Sequence, residues 1–204
     1  EVKKYTDVSK LLSQAKNILG LKKKPYLIEG IDISHLQGLY TVASLVTFED
    51  GKPQKSKYRK YRLDHLDKPN DYESIRYVVN KRYKNHPLPD LLFIDGGKGQ
   101  VNAALESLMA LNKSNVDIIG IAKEDERIVF PGENNDLHLS LDNPVLRLFI
   151  YIRDETHRFA IGFNKKLRSQ RFIKTKLDEI QGIGPKRKKL LMNKYGSLKN
   201  IKNW

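Results

Sequence analysis

The sequence of 204 residues contains no cysteine, which excludes disulfide bonds and metal sites built from thiolates. It has no apolar run long enough to span a membrane. The first ten residues, EVKKYTDVSK, lack the apolar core of a secretory signal, so we expect none here. No internal repeat or low-complexity segment is present. With 39% apolar and 30% charged residues, these absences predict a cytoplasmic protein with one sizeable domain and room for a small second one.

The net charge of +14 is concentrated at the two ends of the chain. Residues 1–25 hold seven Lys and Arg against two acids, and residues 164–204 hold thirteen against two. The middle, residues 26–163, holds eighteen against twenty and is close to neutral. Basic ends around a near-neutral centre favour a catalytic body whose flanks bind a polyanion such as nucleic acid. Solubility is the alternative explanation, because basic surfaces are common.

Two aspartates end apolar segments that have the pattern of buried strands. Asp32 lies in IEGIDISH, residues 28–35, and Asp95 lies in LLFIDGGKGQ, residues 91–100. A carboxylate buried without a partner is costly, and two brought together would repel each other unless a cation lay between them. Oxygen ligands suit Mg²⁺ or Mn²⁺. The pair therefore predicts a metal-dependent site for phosphate chemistry.

The spacing of apolar residues predicts an α/β fold. Five strands are expected, over residues 26–34, 41–49, 55–63, 91–95 and 117–122. Helices are expected over residues 8–19, 71–83 and 98–111, and from 144 through 157 toward 163. The first three strands form an antiparallel meander, and the later strands alternate with helices. This order predicts a mixed five-stranded sheet with helices on its faces.

The last part of the chain has the pattern of two helices joined by a glycine hairpin. Gly182 and Gly184 lie in the hairpin, and Pro185 begins the second helix. The glycines let a phosphate approach backbone N–H groups, and Lys186 and Arg187 add positive charge at the helix N-terminus. The pattern favours contact with a DNA backbone, and an ordinary turn between helices is the alternative.

Six ordered segments of the chain resemble the C-terminal half of UvrC, the incising subunit of the bacterial excinuclease in nucleotide excision repair. They are IEGIDISH with the following Gln37-Gly38, DYESIRYVVNKRY (71–83), PDLLFIDGGKGQ (89–100), RDETHRFAI (153–161), KLRSQRF (166–172) and IQGIGPKRKKLL (180–191). The resemblance begins near Leu11 and covers nearly the whole chain. GGKG alone would be a weak signal, but six segments in the same order are specific.

This resemblance implies an RNase H-like fold followed by helix-hairpin-helix motifs. Residues 1–25 would then be a lead-in helix and basic linker, 26–172 the endonuclease domain, and 173–204 a helix-hairpin-helix segment that is shorter than the tandem motifs of the family. The N-terminal nuclease and the UvrB-docking region of the family have no counterpart in this sequence. We therefore expect UvrB to dock through a region outside it.

In this family the RNase H-like domain cuts damaged double-stranded DNA on the 5′ side of the lesion. The resemblance implies that Asp32, Asp95 and His157 are the catalytic set and the ligands of Mg²⁺ or Mn²⁺. From the residues alone, His157 lies on the flank of the buried face of its helix, where a core hydrogen bond and an active-site edge both fit. The remaining histidines show no ligand spacing, and we expect them at turns or on the surface.

Asp71 is a further catalytic candidate with two interpretations. It begins a helix directly after Asn70, where a carboxylate is favourable toward the helix dipole. It could also lie close enough to lend another carboxylate to the site.

Three basic residues of the middle region are candidates for contact with DNA. Lys98 follows two glycines in a segment without the GxxxxGK[ST] spacing of an NTPase loop, so we interpret the segment as a tight turn in which Lys98 contacts the DNA backbone. Arg153 and Arg158 either hold phosphates or pair with the acids of their own helix.

Together these features predict a metal-dependent DNA endonuclease. A non-catalytic DNA-binding module with structural aspartates is one alternative. Another RNase H-like nuclease, such as a junction resolvase, is a second and would prefer branched DNA. A helix-hairpin-helix glycosylase is disfavoured, because its chemistry needs no metal and leaves the paired aspartates unexplained.

Overall fold

The computed structural model describes residues 7–36, 40–63, 70–122, 124–133, 136–178, 180, 182–195 and 201. The chain divides into two compact units, residues 1–160 and 161–204. The division into three domains that the sequence suggests remains a prediction. The turn expected around Gln37-Gly38 lies outside the described residues. In the parts of the chain that are described, no helix combines the length and the apolar character needed to cross a membrane.

The described residues form seven strands of one mixed sheet. They are β1 (Leu27–Leu36), β2 (Tyr40–Glu49), β3 (Lys52–Pro53), β4 (Arg59–Arg62), β5 (Leu91–Ile94), β6 (Asp117–Ile121) and β7 (Ile128–Val129). The helices are α1 (Val8–Leu19), α2 (Asp71–Tyr83), α3 (Lys98–Ala110), α4 (Pro144–Asp178) and α5 (Pro185–Tyr195). The fold class predicted from the sequence, a mixed sheet flanked by helices, is confirmed.

The sheet order is β3-β2-β1-β5-β6-β7, and β4 also pairs with β2. The antiparallel meander of the first half is present, because β2 runs antiparallel to β1, β3 and β4. The second half supplies parallel strands, since β1, β5 and β6 run in the same direction. The five predicted strands are all found, and the two-residue strands β3 and β7 widen the sheet. The predicted third strand, residues 55–63, is shorter because residues 55–57 form a 3₁₀ turn before β4.

Helices cover both faces of the sheet, and each face has its own apolar core. One core joins α1 and α4 to the sheet and includes Leu12, Ile28, Val46, Phe48, Phe93, Ile119, Phe149 and Ile152. The other joins α2 and α3 to the opposite face and includes Ile31, Leu45, Ile75, Val79, Tyr83, Ile94, Val101 and Leu108. Because side chains alternate along a strand, each central strand contributes to both cores.

Side-chain caps fix where two of the helices begin. Asn70 accepts hydrogen bonds from the backbone N–H groups of Tyr72 and Glu73 at the start of α2. Asn143 accepts one from Val145 at the start of α4, so Asn143 is the cap of the long helix. That helix extends beyond the predicted residue 163 and ends at Asp178.

Candidate metal centre and active site

The sheet register places the two predicted aspartates side by side. In the parallel ladder between β1 and β5, Ile31 pairs with Ile94, so Asp32 and Asp95 are the next residues on their strands. The backbone N–H of Asp95 donates to the carbonyl oxygen of Ile31 at 2.9 Å and extends the ladder to this point. Both side chains are buried, with 2% of Asp32 and 5% of Asp95 exposed. The carboxylates therefore converge because Asp32, within β1, and Asp95, directly after β5, lie at the same level of neighbouring strands.

The alternation of side chains sends both carboxylates to the face that α4 covers. Ile31 and Ile94 pack in the core with α2 and α3, so the residues that follow them face the other way. There the Nδ1 atom of His157, on α4, lies 3.8 Å from Oδ2 of Asp32. The His157 side chain is 56% exposed, whereas Asp32 is almost fully buried. The site thus has a buried acidic floor and a histidine at its solvent-facing edge.

Gly30 lets α4 lie close enough to the sheet to bring His157 to this position. A Cβ atom at Gly30 would be 3.0 Å from Oγ1 of Thr156 and 3.3 Å from Cγ2 of Ile152, both on α4. Gly30 precedes Asp32 by two residues and faces the same side of the sheet. A side chain at Gly30 would press against α4 at Thr156, the residue next to His157, and so displace the helix.

The donor set fits a hard divalent cation. One ligand atom from each of Asp32, Asp95 and His157 lies within 4.8 Å of the other two. Ligands of a Mg²⁺ ion lie at about 2.1 Å from it and so at most about 4.2 Å from one another. Side-chain shifts of a few tenths of an ångström would close that difference. Two ionised carboxylates at this distance repel each other, and a cation bound between them would remove the repulsion.

Ser34 supports the orientation of one of these carboxylates. Its Oγ donates a hydrogen bond of 2.8 Å to Oδ2 of Asp32. The two residues are separated by two positions on β1, so their side chains project from the same face. Sequence reasoning missed Ser34, although the spacing of two from a strand aspartate could have identified it. Partners of this kind hold metal ligands in a fixed orientation.

Asp71 does not lie in the group formed by the two aspartates and His157. Its Oδ1 accepts a hydrogen bond of 2.6 Å from Nε2 of His35, and its Oδ2 accepts one of 3.0 Å from Nε2 of Gln100. On the other side of the ring, Nδ1 of His35 lies at a hydrogen-bond distance of 3.0 Å from Oγ1 of Thr41. Asp71 therefore links the end of β1 to the start of α3. A direct catalytic role for it remains a prediction without support from this geometry.

Gln100 extends that chain of hydrogen bonds to the turn that carries Asp95. Its Oε1 accepts from the backbone N–H of Gly97 at 3.1 Å. The carboxamide also occupies the space beside Gly96, where an added Cβ would lie 1.7 Å from Oε1. The glycines of the GGKG segment therefore form a tight turn around Gln100, which agrees with the interpretation of this segment as a turn. Sequence reasoning assigned no role to Gln100, although a glutamine three residues after a helix cap is a recognisable signal.

The three basic residues predicted to contact DNA are paired with carboxylates. Nζ of Lys98 lies 3.2 Å from Oδ1 of Asp136. The Arg153 guanidinium binds Glu126, and also Asp154 at 3.0 Å. These hydrogen bonds raise the pKa of Arg153. Contact of these three basic residues with DNA remains a prediction. It would require each of them to exchange its carboxylate partner for a phosphate.

Arg158 belongs to a polar contact that joins α4 to the segment before β4. Its Nη2 donates to Oε1 of Glu155 at 2.6 Å, and the Tyr58 hydroxyl donates to the same oxygen at 2.9 Å. The hydrogen bonds from Arg158 lower the pKa of Glu155, while burial together with Glu155 raises the pKa of Tyr58. The alternative considered for Arg158, pairing within its own helix, is the arrangement observed.

The predicted hairpin lies in the second unit of the chain. Gly182 has a φ of 87°, a conformation that favours glycine, and α5 begins at Pro185. Nη1 of Arg187 donates to the carbonyl oxygen of Gly182 at 2.8 Å, and Lys186 and Gly184 are exposed. Contact of these residues with DNA is a prediction that the structure does not test.

The family described as UvrC RNAse H endonuclease domain matches residues 16–161. The chain is 67% identical over 203 residues to the UvrABC system protein C of Petrotoga mobilis, and the aligned region is 98% of this chain and 35% of that protein. It is 55% identical over 192 residues to the UvrABC system protein C of Thermotoga maritima, covering 94% of this chain and 34% of that protein. The chain thus spans about a third of the length of these relatives.

Among solved structures, endonuclease V of Ciona intestinalis in complex with a 23mer inosine-containing DNA is similar at a TM-score of 0.38 and 16% identity, over 57% of each chain. That similarity is too low to support an assignment. The family match spans most of the chain, and the resemblance found in the sequence is confirmed: this chain belongs to the UvrC RNAse H endonuclease domain family.

Proposed function

We propose that this chain is a metal-dependent DNA endonuclease that makes the 5′ incision in bacterial nucleotide excision repair. The convergence of Asp32, Asp95 and His157 within 4.8 Å, in a member of the UvrC endonuclease family, carries the proposal. The substrate would be damaged double-stranded DNA in the cytoplasm. UvrB would be the partner that supplies lesion choice, bound through a part of the protein outside this sequence.

In this proposal Asp32 and Asp95 hold Mg²⁺ or Mn²⁺. When bound, the ion would polarise the scissile phosphate and lower the pKa of a coordinated water. Burial of both carboxylates excludes bulk water from one side of the site, which strengthens their interaction with a cation. The Ser34 hydroxyl holds one oxygen of Asp32 in place through its hydrogen bond. In-line attack of water on phosphorus, with cleavage of the P–O3′ bond, would leave a 3′-hydroxyl and a 5′-phosphate.

His157 would complete the ligand set or transfer a proton. An imidazole nitrogen that holds no metal can accept the proton that the attacking water loses. Its exposed position gives that proton a route to solvent, and its distance of 3.8 Å from Asp32 keeps the ring beside the buried carboxylates. We assign Asp71 a positioning role through Gln100 and the turn after Asp95.

A nicking assay with matched variants tests the proposal. Asp32→Asn and Asp95→Asn, introduced into the longer protein that includes the UvrB-docking region, should each abolish Mn²⁺-dependent nicking of a damaged duplex loaded with UvrB. Asp90→Asn is the control, because Asp90 precedes β5 at its opposite end, where its carboxylate accepts from the N–H of Leu27 at 2.8 Å. Asn can make the same bond, so this variant should retain full activity. Wild-type nicking by Asp32→Asn would overturn the assignment.

Two further measurements separate this proposal from its alternatives. Binding of Mn²⁺ to the chain, followed by calorimetry, should be lost in Asp32→Asn and kept in Asp90→Asn even where nicking is too slow to measure. A chain that binds no divalent cation would instead be a DNA-binding module with structural aspartates. Nicking of branched DNA without UvrB, faster than nicking of the loaded duplex, would favour a junction resolvase.

A further inference from the structure

The edge strand β4 and the residues before it carry a dense positive charge. Residues 52–62 contain six Lys and Arg and no acid, within a middle region whose net charge is close to neutral. Lys57 is paired with Glu49, and the Arg59 guanidinium donates to the carbonyl oxygens of Ser56 and Tyr58. The remaining charges of β4 itself are those of Lys60 and Arg62, and both residues are exposed.

The sheet register aligns these two residues with the candidate active site. In the antiparallel ladders, Asp32 pairs with Ser44, and Ser44 pairs with Lys60. Directly opposite residues in such ladders point to the same face of the sheet. Lys60 therefore lies at the level of Asp32 and on the same face as its carboxylate.

The next pair toward the end of β1 repeats this alignment. Ser34, which binds the Asp32 carboxylate, pairs with Val42, and Val42 pairs with Arg62. Lys60 and Arg62, which we call the β4 basic row, thus flank the site on the side of the edge strand.

Contacts on the two faces support this orientation. Nζ of Lys60 lies 4.2 Å from the centre of the Phe159 ring on α4, the helix that carries His157. Tyr61, between the two basic residues, packs instead against the core formed with α2 and α3. Arg59 pairs with Leu45, a residue of that same core, and so projects from the opposite face.

The distance between β4 and β1 suits the binding of a DNA strand whose scissile phosphate lies at Asp32 and Asp95. Two strand spacings put the backbone of β4 about 10 Å from that of β1. Phosphates of one DNA strand recur every 3.4 Å or so along the helix axis, so a position about 10 Å away lies within a few nucleotides of the scissile bond. Lysine and arginine contribute to such binding as sequence-independent partners of phosphate.

We propose that the β4 basic row, Lys60 and Arg62, binds the backbone phosphates of the DNA strand that is cut, a few nucleotides from the scissile bond. This inference rests on the proposed function and names residues that position its substrate.

Protection of the sheet edge is the competing explanation for these charges, since charged side chains on an edge strand prevent pairing with other chains. Reversing the sign of the charge separates the two. Lys60→Glu/Arg62→Glu keeps the edge charged, so it should elute at the wild-type volume in size-exclusion chromatography while its DNA binding falls. Edge protection alone would leave DNA binding unchanged.

Binding of a labelled duplex to the full 204-residue chain in EDTA, followed by fluorescence anisotropy at several salt concentrations, measures the contacts directly. Lys60→Gln/Arg62→Gln should weaken binding and reduce the slope of log K against log salt by about 2, or about 1 for each lost phosphate contact. Lys52→Gln/Arg59→Gln is the matched control. It removes equal charge from the same sheet edge, at positions that pair with Glu49 and Leu45 and so face the other side. Its affinity and slope should match the wild type.

The inference is wrong if the Lys60/Arg62 variant binds DNA with wild-type affinity and slope, or if the control loses as much as this variant does. Nicking distinguishes this failure from failure of the proposed function. Suppose that the wild-type chain nicks damaged DNA and that the Lys60→Gln/Arg62→Gln variant nicks at the same rate and binds DNA equally well. The proposed role of the β4 basic row would then be wrong, and the nuclease proposal would stand. If the longer protein that includes the UvrB-docking region binds DNA through these residues but never nicks, the β4 basic row is retained and the nuclease is refuted.

Discussion

Replacement of Gly96 by alanine should loosen the turn that carries Asp95. The three atoms nearest to a Cβ at this position all belong to the Gln100 side chain, with Oε1 at 1.7 Å, Cδ at 2.5 Å and Nε2 at 3.2 Å. A methyl group cannot occupy this space unless the carboxamide leaves it. Gly96 does not have a left-handed backbone, so the expected cost comes from Gln100 and not from a strained φ.

The hydrogen bonds of Gln100 set the size of the effect. Its side chain accepts from the N–H of Gly97 at 3.1 Å and donates to Asp71 at 3.0 Å. A hydrogen bond contributes a net 0.5–1.5 kcal/mol or so to stability, and somewhat more when one partner is charged. The side chain of Asp71 is 42% exposed, so water can replace part of the second bond. We therefore expect Gly96→Ala to lower the free energy of unfolding by about 1–3 kcal/mol.

Urea unfolding of a double-mutant cycle tests this explanation. In a Gln100→Ala background the space beside Gly96 is free of the carboxamide, so adding Gly96→Ala should cost less than about 0.5 kcal/mol more. Gly97→Ala is the control, because no atom lies within 4 Å of a Cβ at that position. If Gly96→Ala cost as much in the Gln100→Ala protein as in the wild type, the clash with Gln100 could not be its cause.

Two further predictions concern the carboxylates near α4. Ser34→Ala removes the hydrogen bond of 2.8 Å to Asp32 and should weaken Mn²⁺ binding about tenfold in calorimetry; unchanged affinity would contradict a positioning role for Ser34. The hydrogen bonds from Arg158 lower the pKa of Glu155 in the folded protein. The ionised carboxylate therefore contributes to stability above the pKa of an unfolded glutamate, about 4.3. This contribution is lost as the pH falls through the lower pKa of the folded state. Thermal unfolding of Glu155→Gln should therefore depend less on pH below about 4.3 than that of the wild type, and parallel curves would contradict this linkage.

The parts of the fold that the sequence predicted are those with strong local patterns. The segments that contain Asp32 and Asp95 were identified as strands because continuous apolar runs at a length of four to eight residues are typical of buried strands. Three strands and the helix α2 lie between them along the chain, so their position side by side was expected from the RNase H-like fold that the resemblance implies. This is why two residues 63 positions apart could be expected at one site.

The parts that the sequence could not predict depend on contacts between distant residues. Asp71 begins a helix, and nothing nearby in the chain indicates that His35 and Gln100 will bind its two oxygens. The third strand was predicted too long because residues 55–57 form a 3₁₀ turn and then lead into the contact of Tyr58 with Glu155 on α4. Local spacing predicts which face of an element is apolar, but not which polar groups will meet across the fold.

His157 depends on packing in a way that the two aspartates do not. Hydrogen bonds of the sheet fix the backbones of Asp32 and Asp95 relative to each other, because both continue one parallel ladder. The position of His157 depends instead on how α4 lies against the sheet. Close approach at Gly30 sets the height of the helix, and the contact between Tyr58 and Glu155, two residues before His157, holds it toward the segment before β4. Contacts that stabilise α4 therefore also align the third member of the candidate site, so the stability of this helix and the geometry of the site are coupled.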